Sequence, residues 1–310
     1  MSRAILVTGA TGKQGGAVVD ALLALPNADF TILAVTRNPQ STDAKRLASR
    51  SSFIKLVGGN LNDTPALFEE AHQVSAHPIW GVYSLQVSIG PGVTVASEVA
   101  QGKNLIDAAI QNGVSHFVYS SIERGGDEVS WDNPTPIPHF QSKYQIERHL
   151  RDVTGPGKPG EKMRWTILRP VAFMDNLESG FQTKVFLAAL QNWLGNKPLQ
   201  FIATSDIGIF AAKAFDDPEG WDRRAVGLAG DELSVRQISE SFLNATGSPA
   251  PITYWFLGSA LTYAITEVRL MIGWFASAGY KADIHQIRRE HADLLTMEQW
   301  LVRKSGLVTR

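Results

Sequence analysis

The chain has 310 residues, 44% apolar and 19% charged, enough apolar material for one large domain or two unequal ones. A formal net charge of −1 provides no broad basic face, which argues against direct nucleic-acid binding. Cysteine is absent, which excludes disulfides, thiolate metal sites and a cysteine nucleophile and fits a reducing compartment.

The opening MSRAILVTG runs straight into an apolar strand at 4–7, so no targeting segment is expected. A glycine turn follows, Gly9-Ala10-Thr11-Gly12-Lys13-Gln14-Gly15-Gly16, and then a helical pattern from Ala17 through Leu23. Strand, glycine turn and helix in that order are the context of a dinucleotide-binding fingerprint. Glycine lets the backbone approach a pyrophosphate without a Cβ, and the helix start presents N–H groups and a favourable dipole. The spacing is G-x-x-G-x-x-G rather than G-x-G-x-x-G, and a tight turn without a ligand is the alternative.

A turn at 26–29 precedes a second strand, 30–35, which ends Thr36-Arg37-Asn38-Pro39 without an acid. Selection of an unphosphorylated ribose normally uses Asp or Glu there. Arg37 instead offers a planar fork for a 2′-phosphate, favouring NADP(H), or else is a solvated strand-end arginine. A helix at 44–50, a strand at 53–57 and a turn at 58–63 follow; Asn60 either meets the adenine edge or caps the next helix. A helix at 66–72 leads to a strand at 80–87, and a helix at 95–110 closes at Asn112-Gly113 before the fifth strand, 116–121. The alternation predicts an α/β Rossmann fold, a doubly wound parallel sheet. Thr11, Arg37, Asn60, Gln86 and Ser120 all fall at strand ends, where such sheets bind ligands.

Residues 125–138 read as a loop able to act as a lid, 139–150 as a helix, 155–160 as a surface linker and 165–170 as the sixth strand. The later elements are a helix from Ser205-Asp206, a strand at 226–229 and a helix at 234–243. Leu257, Leu261, Ala264, Val268, Met271 and Phe275 recur as one apolar helical stripe, read as packing, with a partner or membrane surface as the alternative. The run 251–266 is too short to span a bilayer. His285 and His291 lack zinc-site spacing and read as surface residues, so no metal is expected.

The pieces GATGKQGG, VTRNP, GGNLND, FVYSS, HFQSKYQIERHL, LRPVAFMDN and MEQWLVRKSG, in this order, closely resemble the NmrA-like family, most of all its fungal members. That family is an atypical branch of the short-chain dehydrogenase/reductases. The resemblance spans essentially the whole chain. It implies an NADP(H)-binding Rossmann domain over 1–170 and a smaller C-terminal α/β portion over 171–310 that closes the cleft, with room for some of its elements to return to the first domain. It places cofactor contacts at Gly9, Thr11, Gly12, Lys13, Gln14, Gly15, Gly16, Arg37, Asn38, Asn60, Leu61, Leu85, Gln86, Lys143, Phe173 and Asn176.

In the wider superfamily a Tyr-x-x-x-Lys pair on one helix face moves the proton, the lysine holding the ribose and acidifying the phenol. Here Lys143 fills the lysine position, but His139 stands four residues before it, and Tyr144 lies about a hundred degrees off that face. Ser120, or Ser121, is placed to orient a substrate. Three readings follow. In the first, the protein is a nicotinamide-redox sensor acting through a protein partner such as a transcription factor, in cytoplasm or nucleus. In the second it is an NADPH-dependent reductase of a small carbonyl, enone or quinone, with His139 as the acid. In the third the cofactor is a wall for a non-redox reaction on a small metabolite. Sensing ranks slightly ahead of reduction, and composition and spacing are silent on oligomeric state.

Overall fold

The computed structural model describes residues 3–26, 30–88, 90, 92–177 and 180–307, so most of the turn read at 26–29 lies outside the described residues. In chain order the first elements are β1 (Arg3–Val7), α1 (Lys13–Leu23), β2 (Phe30–Thr36), α2 (Thr42–Ala48), β3 (Ile54–Gly58), α3 (Thr64–Val74), β4 (Ile79–Ser84), α4 (Val95–Gln111), β5 (His116–Ser120), α5 (Pro138–Val153) and β6 (Arg164–Pro170). There follow β7 (Ala172–Phe173), α6 (Phe181–Leu194), β8 (Leu199–Ile202), α7 (Thr204–Asp216), β9 (Arg224–Leu228), β10 (Asp231–Leu233), α8 (Val235–Thr246), α9 (Trp255–Ala264), α10 (Thr266–Ser277), α11 (Ile284–Glu290) and α12 (Met297–Arg303).

A seven-stranded sheet runs β3-β2-β1-β4-β5-β6-β9, and a three-stranded sheet runs β10-β8-β7. Pairings from β3 through β6 are parallel, so each crossover must return through a helix, as the alternating pattern predicts. The order reverses between β1 and β4, the position where such sheets bind ligands beyond their carboxyl ends. Strands buried on both faces explain the near-continuous apolar runs: Ile5, Leu6, Val7, Leu33, Val82, Phe117 and Val118 have no exposed surface.

Close contacts explain several glycines. A Cβ on Gly81 would fall 2.8 Å from the Phe215 ring, one on Gly208 2.4 Å from the Ala17 carbonyl oxygen, and one on Gly102 2.5 Å from Ile146 Cδ1. The last contact lets α4 and α5 approach closely. Side-chain caps start most other helices of the sheet region: Ser41 for α2, Asp63 for α3, and a Thr94/Ser97 capping box for α4. Asp63 thus takes the capping role considered for Asn60, whose Oδ1 instead accepts from the Asn62 N–H at 2.8 Å.

The chain forms two compact units and crosses between them repeatedly. The first comprises Met1–Ser121, Ser142–Leu168 and Ile207–Val226; the second comprises Ile122–Gln141, Arg169–Asp206 and Gly227–Arg310.

Three expectations change in the second unit. The apolar stripe is broken at Ile265 (φ −117, ψ 100) into α9 and α10, and the buried positions there are Gly258, Thr262, Ile272, Trp274 and Phe275, of which only Phe275 belongs to the predicted line. Gly258 is buried because a Cβ would fall 2.5 Å from the Ala189 backbone nitrogen, so helix contact through small residues replaces the stripe. The segment read as a lid is pinned instead. Arg124, with no exposed surface, donates to the carbonyls of Ile122, Ser130 and Asn133 at 2.8, 2.7 and 3.0 Å, and the Arg169 guanidinium lies 4.1 Å from the Trp131 ring. His291 is mostly buried, its Nε2 4.0 Å from the carboxylate of Asp206, whereas His285 is exposed as read. Among the described residues no helix is long and apolar enough to cross a membrane.

Candidate functional site

The site is built in the first unit, where β1 and β4 end. Thr8 ties those ends together: its Oγ1 donates to the Leu85 carbonyl at 2.9 Å and accepts from the Leu85 N–H at 2.7 Å. Gly9 then turns with φ +65, a conformation that excludes most side chains. Gly12 closes the turn by donating to the Gly9 carbonyl at 2.9 Å. A Cβ on Gly15 would stand 2.2 Å from the Gly9 oxygen and 2.5 Å from its carbon, so only glycine fits there. α1 has Gly12 as its N-cap and no side-chain cap, the kind of helix start that suits an anion. Thr11, Gly12 and Lys13 are exposed beside it, and Gly16 donates to the Gly12 carbonyl at 2.8 Å.

Gln14 points inward. Its Nε2 donates to the Tyr83 hydroxyl at 3.0 Å and to Ser120 Oγ at 2.5 Å, stitching the turn to β4 and β5. Burial, partly offset by hydrogen bonds with Ser120 and Gln14, pushes the Tyr83 phenol well above its ordinary range, so it stays protonated. Ser120 is therefore placed against Gln14 and Tyr83, while Ser121 donates to Glu147.

The remaining predicted contacts of this unit line the strand ends. Arg37 is exposed just past β2 and has no ion pair among the described residues. Asn38 shapes the turn, its Oδ1 accepting from the Gln40 N–H at 3.0 Å; Asn60 is exposed and Leu61 half-buried past β3. Leu85 lies over Gly9. Gln86 is buried and donates to Ser84 Oγ at 2.9 Å, and its Oε1 has no donor among the described residues.

Lys143 is 6% exposed, with Nζ 2.7 Å from Glu98 Oε1 and, among the described residues, no acceptor beyond that ion pair. Glu98, 1% exposed in the first turn of α4, also accepts from Ser88 Oγ at 2.9 Å and Ser142 Oγ at 2.5 Å. Sequence reading missed Thr8, Tyr83 and Glu98. Only Thr8, beside Gly9, carries a local signal; the others meet their partners through helix packing and sheet register.

His139, Phe173 and Asn176 belong to the second unit. His139 lies one turn before Lys143 on α5, and its Nδ1 is 2.6 Å from Glu267 Oε1. Phe173 ends β7 and is half-buried; Asn176 is exposed in the 3-10 turn after it.

These residues fit a nicotinamide dinucleotide phosphate. The uncapped helix start and the Gly9/Gly15 contact suit a diphosphate, and a strand end with arginine and no acid suits a phosphorylated ribose. A buried ammonium whose acceptor among the described residues is Glu98 alone, and a buried amide oxygen without a donor among them, suit hydroxyl or amide groups of a ligand.

Comparison with known proteins points the same way. The chain is 28% identical over 302 residues to the NmrA-like family domain-containing oxidoreductase hkm9 of Aspergillus hancockii, covering 90% of this chain and 84% of the relative. Its fold is similar to that of the Citrobacter triphenylmethane reductase complexed with NADP(H), with TM-score 0.70, 18% identity, and 98% and 100% of the two chains covered. It is equally similar to NmrA, a negative transcriptional regulator, in complex with NADP, with TM-score 0.70, 17% identity, and coverage of 99% and 96%. The NmrA-like family model matches residues 1–301, and the chain belongs to the NmrA-like family.

Proposed function

We propose that this chain binds NADP(H) through residues 1–170 and is an NADPH-dependent reductase of a small carbonyl, enone or quinone, with residues 171–310 assigned substrate or partner recognition. The observation that carries the cofactor reading is the uncapped start of α1 behind the Gly9/Gly15 contact, joined to an acid-free strand end bearing Arg37. A dinucleotide held there would supply a hydride. His139 supplies the proton to the substrate oxygen, and Glu267 at 2.6 Å orients the ring through Nδ1 and stabilises the imidazolium. Lys143 holds the nicotinamide ribose. The relatives named as oxidoreductases support this reading.

Two observations favour a sensor instead: the Lys143 charge is already claimed by Glu98, and no tyrosine stands one turn before it. In that reading the chain reports nicotinamide redox state to a protein partner, as a transcription regulator of cytoplasm or nucleus would.

Titration with NADPH, followed by a panel of quinones, enones and aldehydes, decides between them. Reduction predicts NADPH consumption that His139→Ala abolishes with little change in cofactor affinity. Tight binding without consumption across the panel supports the sensor. Arg37→Ala is expected to weaken NADP(H) about tenfold or more while NAD(H) changes little, the size of a lost charge-assisted pair. Equal losses would refute the 2′-phosphate role.

A further inference from the structure

Glu98 is a carboxylate with 1% exposure that neither strand-end logic nor the glycine turn accounts for. Both of its oxygens are engaged: Oε1 by the Lys143 ammonium at 2.7 Å and the Ser88 hydroxyl at 2.9 Å, Oε2 by the Ser142 hydroxyl at 2.5 Å. The contact is built into the fold. Gly102, one turn after Glu98, admits Ile146, less than one turn after Lys143, so α4 and α5 lie close enough for the pair to form. Tyr119 from β5 has its ring centroid 5.9 Å from Lys143 Nζ, and on α5 His139 stands one turn before Lys143 and Glu147 one turn after it.

The geometry points to Glu98 as a positioning residue that acts through Lys143 and sets the preference of the site between oxidised and reduced dinucleotide. This rests on the reading that Lys143 holds the nicotinamide ribose. An oxidised nicotinamide ring carries a positive charge and a reduced ring carries none. A buried ammonium near that ribose would by itself repel the oxidised form and leave the reduced form nearly unaffected. Glu98 cancels that field and makes the site tolerant of both.

The consequence has a sign that packing alone does not produce. Glu98→Gln leaves a lone buried ammonium and is expected to shift the NADP+/NADPH affinity ratio about fivefold toward NADPH. Lys143→Met leaves a lone carboxylate and is expected to shift the ratio toward NADP+, although both affinities fall. The double variant carries neither charge and returns the ratio close to that of the wild type, and Glu98→Asp keeps it there. Isothermal titration of the full chain with each dinucleotide form measures all five proteins. If Glu98→Gln fails to fold, Lys143→Met against the double variant still isolates the carboxylate. Wild type that binds both forms, with ratios that do not move in opposite directions in the single variants, overturns the role of Glu98 alone. Wild type that binds neither form overturns the dinucleotide reading together with it.

Discussion

In the first unit a buried carboxylate, Glu98, meets a buried ammonium, Lys143, across forty-five residues of sequence; in the second a fully buried guanidinium, Arg124, is surrounded by main-chain carbonyls from within nine residues of itself. The arginine uses its fixed fork to satisfy the backbone of one loop, so it builds local structure and leaves little for a ligand. The Glu98–Lys143 pair joins two helices and keeps donors of the ammonium without an acceptor among the described residues, which suits the ligand contact proposed for Lys143. Burial of a charge is thus a structural device in the second unit, while in the first the partners leave room for the ligand contact proposed for Lys143.

The comparison breaks first at Arg124. Arg124→Met takes the arginine donors from the carbonyls of Ile122, Ser130 and Asn133, the second of them buried, and is expected to cost about 4 kcal/mol in urea unfolding, the scale for removing one member of a buried charged network. A loss below about 1 kcal/mol would show that the 122–137 segment holds itself together by other means.

Gly15→Ala forces a Cβ into the Gly9 carbonyl. It is expected to cost about 3 kcal/mol and to remove measurable NADP(H) binding, read by thermal unfolding with and without NADPH. Retained ligand-induced stabilisation would move the diphosphate away from this turn.

The smallest effect contrasts two titrating groups. In the first unit His116 is fully buried, its Nε2 bonded to Thr166 Oγ1 at 3.0 Å; because Thr166 gives its own proton to the Trp221 carbonyl, His116 is the donor and neutral. Burial, with a smaller contribution from Arg164, lowers its pKa from 6.5 to about 4. As pH falls below 6.5 the unfolded chain takes up this proton first, so stability declines down to about pH 4 and no further. In the second unit burial raises the Asp206 pKa from 3.8 to about 6, against the hydrogen bond it accepts from Leu295. There the folded chain takes up the proton first, so stability rises as pH falls from 6 to 3.8. Between pH 6 and 4 the two contributions offset. Asp206→Asn is expected to uncover a loss of about 2.5 kcal/mol on acidification across that window, and His116→Asn a gain of similar size. Denaturant midpoints at pH 4, 5 and 6 check the signs; variants that shift in the same direction would refute the assignment.

Much of this molecule is legible in the linear sequence. Apolar runs of four to six residues alternating with helical periods place β1 to β6 and α1 to α5 within a few residues, because each element is set by local side-chain periodicity. The glycine turn is legible for the same reason, since the positive φ of Gly9 and the bare α carbon of Gly15 are local requirements. Arg37 is legible as the residue standing where an acid would otherwise be. The apolar stripe misleads at Ile265 because helical spacing continues across a break in backbone conformation, and the buried face there is chosen by the Gly258–Ala189 approach.

What the sequence by itself determined is the architecture, its order of strands and helices, and the turn that opens α1, since all of these follow from periodicity and backbone sterics over short windows. Only the tertiary structure decided that Glu98 faces Lys143, that Gln14 turns inward to Tyr83 and Ser120, and that Glu267 stands behind His139. Those contacts join residues 45 to 128 positions apart, where side-chain identity carries no local trace and only the packing of elements brings charge to charge.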